Sequence, residues 1–363
     1  MPSKSPGPDQ ADAALVPEFK RSRGSGGMTL FEVAKLAGVS PMSASRALNS
    51  PGQVSEKIRE KVRAAVESTG YVANRLAGSL ASRRSRLVAA IVPSIAGPVF
   101  QEMVQALIGE LAASGYQLML GQSGYGMQEE DELLEAIIGR RPDGIVLGGV
   151  IPSGDGRRRL LASGIPVVET WDMVGSPIDM LVGFSHEAIA TAVAGFLVGR
   201  GYRQLAVVGG THERGMRRSQ AFVEAVQRHA AAATAGREAS GPTVVTEAIP
   251  APAGVRGGRD ALASILKRQP GTDAVFCSSD MLALGVLTEA GARGLVVPRD
   301  LAVVGFGDLP FAADIAPSLT TVRIDGKAIG RHAARFIVQR AETETASDPV
   351  IDVGFSIVER DSA

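Results

Sequence analysis

The sequence predicts an α/β protein: a compact unit of three helices, then two lobes built on doubly wound parallel sheets. Three observations predict it. Residues 29–70 are dense in helix start and stop signals, and a long series of short apolar runs alternating with amphipathic ones follows them. That alternation restarts near residue 180. The 363 residues, 45% of them apolar, are enough for more than one core.

The first helix begins at Thr29, where Thr29 and Glu32 have the spacing of a capping box, each side chain satisfying the other residue's unpaired N–H. Leu30, Val33, Ala34, Leu36 and Ala37 recur at helical spacing as its apolar face. Gly38 ends it, Ser40 caps the second helix, and Pro41 takes the first helical position, where a missing N–H costs nothing. Val39, Ala44, Ala47 and Leu48 supply the second helix's inward face, and a third helix runs from the cap Ser55 through Ile58, Val62, Ala65 and Val66 to Gly70. Two short helices joined at a glycine and buttressed by a third make a helix-turn-helix. The second helix leaves Met42, Ser43, Ser45, Arg46 and Asn49 outside. Short donors, one apolar tip and one guanidinium fork are the equipment of a helix lying in the major groove.

A plain three-helix bundle shares that apolar pattern, so charge matters. The chain balances 38 basic against 38 acidic residues, yet residues 28–86 carry a net +6, residues 1–27 a net +1 and the remainder −7. A basic module joined to a mildly acidic body is the footprint of a nucleic-acid binder.

From Leu87 the runs are LVAAIV, then the helical VFQEMVQALIGELAASG; YQLMLG, then a helix to Arg140; DGIVLGG, then a helix ending at Gly164; and PVVETW. The second set is MLVGF, a helix to Gly201, QLAVVGG, a helix to about Ala231, TVVTEAI, a helix to Gln269, DAVFCSS, a helix to Gly291 and LAVVGF. Repeated strand–helix units mean parallel sheets with helices on both faces. Ligands of such folds sit beyond the carboxyl ends of the strands. The candidates are therefore Pro93 and Ser94, Gly121, Gly148 and Gly149, Glu169 to Asp172, Phe184 to His186, Gly209 to Arg218, Ser278 to Asp280, and Phe306 to Asp308.

No strand is followed by G-x-G-x-x-G, no G-x-x-x-x-G-K-[ST] occurs, and no Ser/His/Asp set has nucleophile-elbow spacing. The sequence thus speaks against an enzyme and calls for no cofactor. The single cysteine, Cys277, excludes an internal disulfide, and the four histidines are scattered away from metal-ligand spacing. No apolar run approaches the roughly 18 residues that span a bilayer. Residues 1–27, rich in Pro, Gly and Ser, read as a disordered arm rather than an export signal. The expected location is the cytoplasm.

The spacing T-L-x-x-V-A-x-x-A-G-V-S-x-x-x-x-S-R-x-L-N from Thr29, V-S at 54 and 55, G-Y at 70 and 71, and N-R-x-A-x-x-L-A from Asn74 resembles the lactose/galactose repressor family, over residues 28 to about 360. The resemblance implies a homodimeric transcriptional repressor on double-stranded operator DNA, with a body like the type I periplasmic binding proteins that closes on a small effector. It implies phosphate contacts from Thr29, Ser40, Ser45 and Asn49, base reading by Arg46, and operator preference set by Pro41 and Met42. It makes residues 74–81 a hinge helix whose Leu80 wedges into the minor groove beside its dimer mate. Gly78 disfavours that helix by roughly 1 kcal/mol against Ala. The implied domains are the arm 1–27, the helix-turn-helix 28–73, the hinge and linker 74–86, and the two-lobed body 87–363. Within the body the first lobe takes about 87–184 plus 324–341 and the second about 185–323 plus 342–363. The chain is expected to cross near Phe184, near Val322 and near residue 342. The end, VGFSIVERDSA, is strand-like rather than heptad-patterned, which argues against a tetramerising tail.

Members that bind neutral sugars carry F/Y-D-D after the last strand of the second set, the first Asp gripping hydroxyls; here the run is Phe306-Gly307-Asp308. Arg214 and Arg218 stand one helical turn apart, and Arg218 matches the family's effector-gripping arginine. The runs PSIAGPVF, GYQLMLGQSGY and PVVETWDMVGSPIDMLVGF most resemble the gluconate-type members. Losing a carboxylate while keeping two cations favours an anionic ligand, and a guanidinium fork matches a carboxylate bidentately. The expectation is a sugar acid, gluconate or a keto-gluconate, its carboxylate on Arg218 with Arg214. Glu169, Asp172, Ser279 and Asp280 would take hydroxyls, Trp171 or Phe100 an apolar face, with Ser94, Phe184 and Gly307 completing the site. The alternatives are surface ion pairs of these arginines with Glu213 or Glu224, a neutral or phosphorylated sugar as effector, or a transport-type sugar binder.

Overall fold

The structure, a computed structural model, describes residues 28–72, 84–95, 100–124, 127–150, 154–235, 241–343 and 349–363. The chain forms two compact units, Met1–Ser82 and Arg83–Ala363.

The first unit holds α1 (Leu30–Ala37), α2 (Pro41–Asn49) and α3 (Glu56–Thr69). The capping box forms: the Thr29 N–H donates to the Glu32 carboxylate at 2.8 Å, and the Glu32 N–H to the Thr29 hydroxyl at 3.4 Å. Gly38 turns the chain at φ 63°, and the Ser40 hydroxyl accepts from the Ser43 N–H at 3.1 Å. Ser55 occupies the cap position of α3, but its hydroxyl makes no cap bond. Val33, Ala34, Ala37, Ala44, Val62 and Ala65 form the core, with Leu30, Val39, Leu48 and Ile58 packed against it. Leu36 departs from expectation at 48% exposed. At about 100° per residue it falls outside the face centred on Val33, Ala34 and Ala37. Thr29→Ala is expected to destabilise α1 by about 1 kcal/mol, read as faster amide exchange of α1 in the full chain.

The second unit carries two six-stranded sheets. The first contains β1 (Leu87–Val92), β2 (Gln117–Gln122), β3 (Gly144–Leu147), β4 (Val167–Thr170), β5 (Met180–Gly183) and β11 (Val350–Asp352), in the order β11-β5-β4-β3-β1-β2. All its pairings are parallel. The second contains β6 (Gln204–Gly210), β7 (Thr243–Ile249), β8 (Ala274–Cys277), β9 (Ala302–Phe306), β10 (Thr320–Arg323) and β12 (Ser356–Val358), in the order β12-β10-β9-β8-β6-β7. Only β12 runs antiparallel to its neighbour. Strands β3, β4, β5, β8 and β9 are buried throughout, as a sheet covered on both faces requires.

Two boundaries shift. The run MLVGF, read as the start of the second set, is β5 and pairs with β4, so the first sheet closes one strand later. The helix Gly326–Thr343 packs on the first lobe against Gln101–Ala113 and β3 to β5. The last crossing comes after Asp352 instead of near residue 342, because Val350–Asp352 pairs with Leu181–Gly183 before Ser356–Val358 joins β10.

Candidate functional site

In the helical unit, Met42, Arg46 and Asn49 project from α2 at i, i+4 and i+7, all exposed, Met42 at 63%. Ala44 faces the core on the opposite side. Pro41 is exposed at the helix start. The Ser45 hydroxyl accepts from the Asn49 amide at 3.4 Å, and the Ser40 and Ser43 hydroxyls lie 2.9 Å apart. Asn74, Leu80 and the whole 74–81 segment with Gly78 lie outside the described residues.

In the body, a cavity of about 370 Å³ opens at the carboxyl ends of the strands, between the lobes. Ser94, Phe100 and Trp171 line it from the first lobe, Phe184 from the crossing, and His186, His212, Arg214, Arg218, residues 251–254, Ser278, Ser279, Met281 and Phe306 from the second. A train of aromatic rings forms its floor. Phe100 meets Trp171 edge-on at 5.1 Å, Trp171 meets Phe184 at 5.8 Å, and Phe184 meets Phe306 at 6.1 Å. Trp171 takes a left-handed backbone, φ 65°, and its indole N–H donates to the Met103 sulfur at 3.0 Å. A strained, pinned aromatic at a strand end is the kind of outlier that clusters at binding sites.

The cations arrive through one tight turn. Strand β6 ends in Gly209 and Gly210, and the helix Glu213–Ala235 starts immediately beyond. A Cβ on Gly215 would lie 2.5 Å from the Gly210 carbonyl oxygen, so the helix start is pressed onto the strand end. Buried Phe222, Ala225 and Val226 hold that helix on the sheet, which aims its first two turns across the cleft. Arg214 donates to the Gly148 carbonyl of the first lobe at 3.0 Å. Arg217 pairs with Asp172 of the first lobe.

Arg218 is different. It is 4% exposed and has no ion-pair partner among the described residues. Its Nη1 meets His186 Nδ1 at 3.0 Å, its Nη2 donates to the Ser278 carbonyl at 3.2 Å, and its guanidinium lies 3.9 Å above the Phe306 ring. Its Nε is buried with no hydrogen-bond partner. Burial first, then the neighbouring Arg214, pushes Arg218 down to about 9, which leaves it a cation at neutral pH. Burial and Arg214 likewise push His212 down to about 4, so it adds no positive charge at neutral pH.

The expected carboxylate ligands are placed elsewhere. Glu169 is fully buried, one oxygen accepting from the Ile178 N–H at 2.7 Å and the other unpartnered, and it does not line the cavity. Asp172 lines a second cavity alongside, of about 470 Å³, and is engaged by Arg217. Asp280 sits beneath the turn after β9, accepting from the Thr321 hydroxyl at 2.5 Å and the Leu309 N–H at 2.7 Å. Gly307, at φ 128°, holds a backbone that side-chain-bearing residues rarely adopt and also stays out of the lining. Asp308 bonds Arg323 at 2.5 Å and Arg360 at 2.7 Å, so the remaining acid of that turn is structural.

Burial is the main force raising Glu169 above its ordinary value of 4.5, with the Ile178 bond opposing. A raised carboxyl stabilises the fold below its unfolded value and loses that contribution as pH climbs through the folded one. Glu169→Gln cannot ionise, so it is expected to be more stable than the parent at pH 8, an advantage that vanishes near pH 4. Thermal melts across that range measure it.

Residues 29–74 match the family model of bacterial regulatory proteins, lacI family, and residues 194–363 match that of the periplasmic binding protein-like domain. The HTH-type transcriptional regulator GntR of Pseudomonas aeruginosa is 37% identical over 96% of this chain and 99% of its own length. This chain belongs to the LacI family. A LacI family regulator from Silicibacter pomeroyi, known as a crystal structure, is 31% identical with a TM-score of 0.82, over 92% of this chain and 99% of that one. The GntR regulator of Chromobacterium violaceum is 34% identical with a TM-score of 0.69, over 76% and 98%. The protein is accordingly a DNA-binding transcriptional regulator and not an enzyme. Among the described residues no helix of the regulator is long and apolar enough to cross a membrane.

Residues 251–254 and Met281 of the regulator's cleft lie outside the strand-end ranges, and two histidines within those ranges take no role from sequence. His186 and His212 each stand at a strand end, but as isolated histidines they carried no spacing signal. The His186 contact with Arg218, and the place of both rings in the cavity lining, come only with the fold.

Proposed function

We propose that this regulator is a homodimeric repressor acting in the cytoplasm, whose hold on operator DNA is set by a small sugar acid, gluconate or a keto-gluconate, in the interlobe cleft. One observation carries the effector class: Arg214 and Arg218 line the cavity, and none of its lining residues among the described ones is acidic. A partly desolvated cleft with two cations on its wall, whose neighbouring acid Asp172 is engaged by Arg217, favours an anion over a neutral sugar. Ser94, Ser278, Ser279 and His212 offer partners for hydroxyls, while Phe100, Trp171 and Phe184 offer an apolar face.

On the DNA side, Arg46 reads a base edge, Pro41 and Met42 tune operator preference, Thr29, Ser40, Ser45 and Asn49 hold phosphates, and Ser43 shares their outward face, with Asn74 and Leu80 in the minor-groove hinge. Two half-operators need two such helices, hence the homodimer. The effector acts by binding one of two states better than the other.

Trp171 is the chain's only tryptophan and lines the cavity, so its fluorescence reports occupancy. Titration with gluconate, 2-ketogluconate, glucose and 6-phosphogluconate is expected to give saturation with an acid and none with glucose. A response to glucose alone would reject the anionic class. The acid that binds then enters an operator-retardation assay, which must show a shift in DNA affinity.

A further inference from the structure

We propose that His186 is the positioning residue that makes this cleft select an anion, because it holds Arg218 with a neutral imidazole where a carboxylate would cancel its charge. The inference rests on the effector reading above and concerns how that site achieves its preference.

Buried arginines are ordinarily compensated by an acid. Arg218 is held instead by two uncharged acceptors, the His186 ring and the Ser278 carbonyl. A guanidinium can only donate, so His186 Nδ1 carries no proton and accepts at 3.0 Å. The ring proton then sits on Nε2 and is donated to the Trp171 carbonyl at 3.2 Å. Both ring nitrogens are thereby fixed, and the ring packs edge-on to Phe184 at 5.0 Å. Burial first, then the charges of Arg218, Arg214 and Arg217, drives His186 far below its ordinary range, so the imidazole stays neutral.

Two consequences follow from that geometry. The Arg218 charge is oriented without an acid in contact, and its buried Nε donor has no acceptor among the described residues. A carboxylate supplies the counter-charge, whereas a neutral analogue of the same shape leaves the cation uncompensated. The relay also joins the lobes, running from Trp171 on the first through His186 to Arg218 on the second.

The test is calorimetric titration of the full-length protein with D-gluconate and with D-gluconamide, its uncharged amide. The parent is expected to prefer the acid by about 30-fold, the worth of a charge-assisted hydrogen bond. His186→Asn keeps a neutral acceptor and is expected to hold that ratio within about threefold. His186→Asp supplies an internal counter-ion, and its acid-over-amide ratio is expected to fall close to one while amide binding persists, which also shows the cleft intact. An unchanged ratio in His186→Asp, or a collapsed ratio in His186→Asn, overturns the proposal. Should His186→Asp not fold, His186→Asn decides by itself. A parent that shows no preference for the acid overturns the effector reading instead, and this inference with it.

Discussion

Arg218→Ala is expected to cost a sugar acid about 100-fold in affinity while leaving the fold standing. The affinity loss follows from what Arg218 offers: a cation fixed over Phe306, in a cavity lined by no acid among the described residues. Losing one partner of a buried, hydrogen-bonded charge pair costs about 2–5 kcal/mol, most of it as faster dissociation. The fold survives because Arg218 contributes little net stability. Removing a desolvated cation without an ion-pair partner relieves the protein of a charge it must bury. Against this stand the lost packing on Phe306 and two acceptors, His186 Nδ1 and the Ser278 carbonyl, left without a donor. These opposing effects predict a change in unfolding free energy within about 2 kcal/mol. Arg218→Lys keeps a point charge but not the fork, and should fall between parent and alanine. An alanine variant within threefold of the parent for the acid would show that the carboxylate sits elsewhere. Arg214→Ala should cost less, since Arg214 is half-buried and already donates to the Gly148 carbonyl.

What the sequence made legible was local. The Thr29–Glu32 capping box, the Gly38 turn and the Ser40–Pro41 start lie within a few residues of one another, and each forms. The βα alternation was legible for the same reason, and QLAVVGG and TVVTEAI fall on β6 and β7 to the residue. The short closing strands were not: Val350–Asp352 is three residues long, too few for any alternation to show. The site was half legible. Strand ends locate the cavity, but they do not say which of two faces a side chain takes. Glu169 shares a face with Val167, which packs in the cluster with Ile178, away from the cavity. The contacts that build the cleft join residues far apart, such as His186 and Arg218, 32 positions distant. No local pattern encodes them.

Asp280 shows the same limit and gives the largest expected effect on stability. From sequence it stood among the hydroxyl-binding residues of the cleft; in the fold it is fully buried and does not line the cavity. It begins the helix Asp280–Ala292, where a carboxylate is favoured by the helix end, and it receives the Leu309 N–H and the Thr321 hydroxyl from 29 and 41 positions away. It also fills the space above Gly305, where an added Cβ would lie 2.2 Å from its oxygen. Asp280→Ala strands two buried donors and opens a hole between β9, β10 and that helix. Each orphaned donor costs about 1–3 kcal/mol, so the variant should lose about 3 kcal/mol or more of stability, read as a lower urea midpoint. Asp280→Asn retains one acceptor and much of the volume, and should lose less. The two roles separate in the folded fraction. If Asp280 is structural, Asp280→Asn binds the effector with near-parental affinity below its unfolding midpoint. If it grips a hydroxyl, affinity falls before stability does. The buried position of its side chain favours the first outcome, and leaves Arg218, the neutral residues around it and the aromatic floor to recognise the ligand.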